Sequence, residues 1–151
     1  MEGKIRGFEK ISAQIDNSEL KLPARSTKHS VAYDFFSPID GVVPAKGELK
    51  IHTGIKSYFQ TDEGLFFYTR SGLGTKKGIQ LKNSVAVFEA DYYNNPGNEG
   101  EAIITLINIS DIDFIIKKGD KFCQALFQKI LFADNDDADG ERQGGMGSTG
   151  N

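Results

Sequence analysis

Chain-reversing residues recur along this sequence at intervals that leave room for strands and little else. Ser37-Pro38, Pro44 with Gly47, Asp62-Glu63-Gly64 and Asn94-Asn95-Pro96-Gly97 each interrupt a short run of β-branched, aromatic or aliphatic residues. The runs between them are Val31 to Phe36, Ile39 to Val43, Leu49 to Ile55, Ile55 to Phe59, Leu65 to Thr69, Ala102 to Ile109, Ile112 to Ile116 and Phe122 to Phe132. The first part of Lys4 to Ile15 alternates and reads as one more strand. Only Thr75–Leu81 leaves space for a turn of helix, and its glycines keep that short. Short strands at such spacing predict an all-β chain, a jelly-roll-like barrel or sandwich.

Past Phe132 the character changes. Asp134 to Asp139 holds four aspartates, and Gln143 to Asn151 holds four glycines with Met146 as its one apolar side chain of any size. Such a segment buries too little to fold alone. The sequence therefore divides into a β body over residues 1–133 and a flexible glycine-rich C-terminal arm over 134–151.

A body of this size is one domain with mass enough for a core. A formal charge of −3 lacks the basic footprint of a nucleic-acid binder. The single cysteine, Cys123, makes no internal disulfide and demands no oxidising compartment. No apolar run approaches the ~20 residues that span a bilayer, and Met1-Glu2-Gly3-Lys4 does not open a signal peptide. The expectation is a soluble, cytoplasmic protein without membrane contact.

Chemistry concentrates between Phe67 and Tyr92. A hydrophobic run delivers Thr69-Arg70-Ser71-Gly72-Leu73-Gly74, a cation, a hydroxyl and bare backbone amides, the equipment for holding a phosphate chain. Alone, Arg70-Ser71-Gly72 reads equally well as a polar turn after a strand. An alternating segment, Ile79 to Phe88, then forms a hairpin-like element that closes on Glu89, Asp91 and Tyr92. Two further polar residues interrupt apolar strands. Gln124 would cost ~1–3 kcal/mol if buried unpaired, so it needs a partner, in a ligand or elsewhere in the core. Asp34 stands between aromatics, either facing solvent or serving a site. His29 and His52 are isolated, which makes a zinc centre an unattractive reading.

Arg70-Ser71-Gly72, then Lys77-Gly78-Ile79, Asn83 and Asp91-Tyr92, resembles the second and third motifs of the trimeric dUTPases, the deoxyuridine triphosphate nucleotidohydrolases. Ala32-Tyr33-Asp34 resembles their first motif and Gly119-Asp120-Lys121-Phe122-Cys123-Gln124 their fourth. Gly144-Gly145-Met146-Gly147-Ser148-Thr149-Gly150 resembles their fifth. One short motif is weak evidence, whereas five in order and at family-like spacing are strong.

The resemblance implies hydrolysis of dUTP to dUMP and pyrophosphate in a homotrimer whose sites are shared between chains. Motifs one, two and four would come from one chain, the third from another and the fifth from the last. It further implies that Ser71, the Gly72 amide, Arg70 and Gln124 hold the phosphates, and that Asp34 holds water on a Mg²⁺ ion. Backbone around Asn83 would read uracil, with the Asn83 side chain assisting, in a pocket that includes Phe88. Tyr92 would stack on the deoxyribose and exclude a ribose hydroxyl. Glu89 would hold the attacking water, Arg142 the γ-phosphate, and Met146, Ser148 and Thr149 would close over the nucleotide.

Three positions depart from the family pattern. Glu89 stands where an aspartate is usual, one methylene longer; Met146 replaces a phenylalanine; Lys121 replaces an arginine, keeping charge without the fork. These departures support an alternative, a weakly or non-catalytic dUTP-binding regulator acting through a protein partner. A dCTP deaminase shares the fold but lacks the Gly-Ser-Thr-Gly arm.

Overall fold

The computed structural model describes residues 3–147 of the chain. Eleven strands are present among these residues: β1 (Gly7–Lys10), β2 (Tyr33–Phe36), β3 (Gly41–Val43), β4 (Glu48–His52), β5 (Ile55–Tyr58), β6 (Glu63–Tyr68), β7 (Ile79–Leu81), β8 (Ala86–Phe88), β9 (Ile103–Asn108), β10 (Phe114–Ile116) and β11 (Lys121–Lys129). All pairings are antiparallel. They build a four-stranded sheet in the order β2-β11-β6-β8, a three-stranded sheet β4-β9-β7, and the pairs β1-β5 and β3-β10. The fold is the expected all-β, jelly-roll type. No helix among the described residues is long and apolar enough to cross a membrane.

Alternation decides which side chains enter the core. In β9, Ile104, Leu106 and Asn108 are buried while their neighbours are partly exposed. Asn108 is tolerated there because its amide donates to Val43 O (2.9 Å) and Ile112 O (2.8 Å), and its oxygen accepts from Ser110 N (2.9 Å). A row of rings, Phe35, Phe67, Phe88 and Tyr92, with centroids 4.9, 4.6 and 4.9 Å apart, crosses the four-stranded sheet. Truncating a buried ring of this kind to alanine costs ~3–5 kcal/mol.

Three local expectations are corrected. The segment from Ile79 to Phe88 is not a hairpin: β7 pairs with β9, and β8 pairs with β6. A turn does join them, closed by Ser84 N–H to Leu81 O (3.1 Å), with Ser84 at φ 64. Its two arms diverge into different sheets. The helical turn is Leu73–Lys77, capped by left-handed Gly78, because Ile79 and Leu81 are core side chains of a strand. Finally, β11 stops at Lys129 rather than Phe132. Its partner β6 begins at Glu63, opposite Lys129, so Leu131 and Phe132 have no strand to join and are exposed.

Candidate active site

The register of the four-stranded sheet sets Asp34 of β2, Gln124 of β11 and Tyr68 of β6 side by side. A bulge in β11 between Lys121 and Cys123 makes this alignment possible. It lets consecutive Phe122 and Cys123 both turn inward, and it re-aims Gln124. The Gln124 amide donates to Thr69 O (3.0 Å), which gives it the partner its position required.

Asp34 is buried, not solvent-facing, and it is the hub of this end. Arg70 Nε lies 3.2 Å from Oδ1, the Ser26 hydroxyl donates to Oδ2 at 2.7 Å, and Lys121 Nζ stands 3.6 Å from Oδ2 while donating to Ser26 Oγ (2.9 Å). Two cations around one carboxylate leave the end positive. Ser71 and Gly72 follow Arg70 and stand exposed. A Cβ on Gly72 would meet nothing within 4 Å, and its φ of −63° suits any residue. The fold itself therefore does not demand glycine there, whereas a ligand approaching the backbone would.

The second group lies at the other end of the sheet. Glu89 follows β8 and Tyr92 closes the 3-10 turn Ala90–Tyr92. Arg142 reaches across from the arm, pairing Nη2 with Glu89 and Nε with Asp91 Oδ1 (2.8 Å), its guanidinium 5.6 Å from the centre of the Tyr92 ring. Burial works against the Arg142 charge, but Asp91 and Glu89 outweigh it and hold the guanidinium firmly protonated. Tyr92 is buried, its hydroxyl donating to Glu101 O (2.7 Å) and accepting from Asn98 Nδ2 (2.8 Å). Val87, Phe88, Glu89, Tyr92, Arg142 and Met146 surround a pocket of about 190 Å³.

The structure thus gathers the expected residues into two groups. Asp34, Arg70 and Gln124 meet at one end, with Ser71 and Gly72 beside them. Phe88, Glu89, Tyr92, Arg142 and Met146 meet at the other, where Phe88 belongs to the core as well as to the pocket wall. Asn83 is exposed in the turn after β7, apart from both groups' hydrogen bonds. Ser148 and Thr149 lie outside the described residues.

Along β6 the groups are separated by the stretch from Gly64, which sits beside the end of β8, to Arg70. At ~3.3 Å per residue that is roughly 15–20 Å. Ser26 and Asn98, which brace Asp34 and Tyr92, were not among the expected site residues. A serine-rich loop and a turn asparagine carry no signal of their long-range partners.

Among the described residues no three His, Cys, Asp or Glu side chains gather to hold a metal ion. Asp34 offers a hard carboxylate already engaged by Arg70 and Ser26. That suits an outer-sphere contact to a magnesium ion that arrives with its own phosphate oxygens and keeps several waters.

A family model described as dUTPase matches residues 18–150. The deoxyuridine 5'-triphosphate nucleotidohydrolase of Lactococcus lactis subsp. lactis is 45% identical over 150 residues, 97% of this chain and 99% of that one. The Saccharomyces cerevisiae protein of the same description is 31% identical over 149 residues, covering 93% and 95% of the two chains. Among solved structures, the dUTPase from Streptococcus mutans superimposes with a TM-score of 0.77 at 36% identity, over 85% of this chain and 99% of that one. The chain belongs to the dUTPase family.

Proposed function

We propose that this chain, an enzyme of the dUTPase family, hydrolyses dUTP to dUMP and pyrophosphate at sites shared between copies in a homotrimer. The observation that carries this reading is the register that sets the two residue groups at opposite ends of β6, roughly 15–20 Å apart within one chain at ~3.3 Å per residue. A general base must come within about 3 Å of the water it activates. Glu89 and the Arg70-Ser71-Gly72 grip therefore cannot serve one phosphorus in a single chain, but they can across an interface. The described arm lies over its own chain's Glu89 and Tyr92.

In this assembly Arg70, the Ser71 hydroxyl, the Gly72 amide and Gln124 of one copy hold the triphosphate. Preorganised donors of this kind absorb charge as it builds on the phosphoryl oxygens. Glu89 of another copy orients a water in line with the α-phosphorus and accepts its proton. The new P–O bond forms as the bond to the bridging oxygen breaks, and pyrophosphate carries away the electron pair. Magnesium bound with the triphosphate would supply charge neutralisation there, with Asp34 holding it through water.

Selectivity would come from backbone. β8 is an edge strand, so one row of its amides and carbonyls is open to pair with a uracil edge. Exchanging donor for acceptor, as in cytosine, leaves buried groups unpaired, and a wall at Tyr92 rejects a 2'-hydroxyl. Pyrophosphate release measured across dUTP, dTTP, dCTP and UTP tests the reading. The expected result is dUTP turned over at least ~100-fold faster than the others. Comparable rates for dCTP, or ammonia released from it, overturn it.

A further inference from the structure

Lys121 stands beside Asp34 without bonding to it. Its Nζ is 3.6 Å from Oδ2, beyond the ~2.7–3.2 Å at which an N–H donates to oxygen. The ammonium donates to the Ser26 hydroxyl instead (2.9 Å), and that hydroxyl donates to Oδ2 (2.7 Å). An ammonium can only donate, so Ser26 Oγ accepts from it and keeps its one proton for the carboxylate. The bonds therefore run in one sense, from Lys121 through Ser26 to Asp34. A chain of this sense polarises the hydroxyl and strengthens its hold on the carboxylate.

The serine is held where such a relay needs it. Asp34 N–H donates to Ala24 O (2.8 Å) and Ala24 N–H to Asp34 O (3.2 Å), which fixes the chain two residues before Ser26. On the far side, Arg25 Nη1 donates to Lys28 O (2.9 Å) and Ser30 O (3.1 Å), and Thr27 N–H donates to Ser30 Oγ (3.0 Å). Lys121 opens β11 opposite Phe36, just ahead of the bulge. At the other oxygen of the carboxylate, Arg70 Nε lies 3.2 Å from Oδ1. A carboxylate is rigid and planar, so any rotation that moves Oδ2 moves Oδ1, and Arg70 with it.

We propose that Ser26 is a positioning residue for triphosphate binding: it converts the point charge of Lys121 into a directed hydrogen bond on Asp34, and so sets the angle at which Asp34 presents Arg70 to the phosphates. Serine and lysine together do here what one arginine does alone, since a guanidinium forks onto a carboxylate directly and an ammonium does not. The inference rests on the hydrolase reading for its ligand, because that reading puts Asp34 and Arg70 at the triphosphate.

A double-mutant cycle on the full-length chain tests it, read by calorimetric binding of a non-hydrolysable α,β-imido dUTP with magnesium. Ser26→Ala should weaken binding about tenfold, the order expected when a hydrogen bond to a charged group is lost. In a Lys121→Arg background the same change should cost no more than about twofold, which is the additivity error of such cycles. Ser26→Thr keeps the hydroxyl and should retain binding. An equal penalty for Ser26→Ala in both backgrounds, or none in either, overturns the relay. Thermal midpoints of the same proteins without nucleotide repeat the cycle free of any ligand. There Ser26→Ala should lower the midpoint of the native chain and leave that of Lys121→Arg nearly unmoved; an additive result overturns the relay as well. A native protein that does not bind the analogue defeats the hydrolase reading, and the midpoints then still decide the relay.

Discussion

Glu89 follows the edge strand β8 in extended conformation, with its carboxylate in the grasp of Arg142. If it holds the attacking water, Glu89→Gln keeps shape and hydrogen-bonding reach and removes the base, so turnover should fall ~10²–10⁴-fold. Glu89→Asp is the more telling variant. It shortens the side chain by about one bond, and a misplacement of ~1 Å costs up to ~100-fold. We expect Glu89→Asp to be slower than the native protein, because the shortened carboxylate stands back from the water that glutamate reaches. A faster Glu89→Asp, measured as kcat for dUTP, would show that glutamate is a handicap. At this scale the sequence was most informative where chemistry sits in contiguous residues. Arg70-Ser71-Gly72 and the Glu89–Tyr92 turn were legible, while Ser26 and Asn98 were not. Their roles exist only through partners that the fold brings across from other elements.

Strand positions followed from the runs of β-branched and aromatic residues, but strand partners did not. β7 and β8 share a tight turn, and alternation alone cannot say that β9 and β6 offer each of them a longer interface than they offer each other. The start of β6 shows how such an interface is secured. Glu63 is buried, and Arg6 binds it through Nε (3.1 Å) and Nη2 (2.7 Å), while Gln60 N–H donates at 3.0 Å. The Arg6 hydrogen bond beside Glu63 holds its carboxyl below the ordinary glutamate value, against the opposing effect of burial. Folding then gains from the ionised form above the unfolded pKa of ~4.3 and loses that gain as pH falls through the depressed folded value. Glu63→Gln should therefore melt below the native protein at pH 6, and the gap should close on acidification toward pH 3. Melting curves at several pH values check this; a gap that is constant across the range would detach Glu63 from acid stability.

At the scale of the whole molecule, the all-β class was legible in the spacing of the runs and a divided site was implied by the resemblance, whereas how far apart the two groups of residues stand came only with the register. Asp34, Gln124 and Tyr68 align at one end of the sheet, and Glu89 stands beside Gly64 at the other. Interfaces that repeat around a closed ring give every copy the same two roles, donor of a grip and donor of a base. Defects at the two ends are then separable between genes as well as between residues. Arg70→Ala and Glu89→Gln chains should each be nearly inactive alone. Unfolded together in equal amounts and refolded, they should recover about one quarter of native activity, because a site drawing its ends from independent copies is intact with that chance. Arg70→Ala mixed with itself should recover nothing. Two broken proteins would mend each other by assembling.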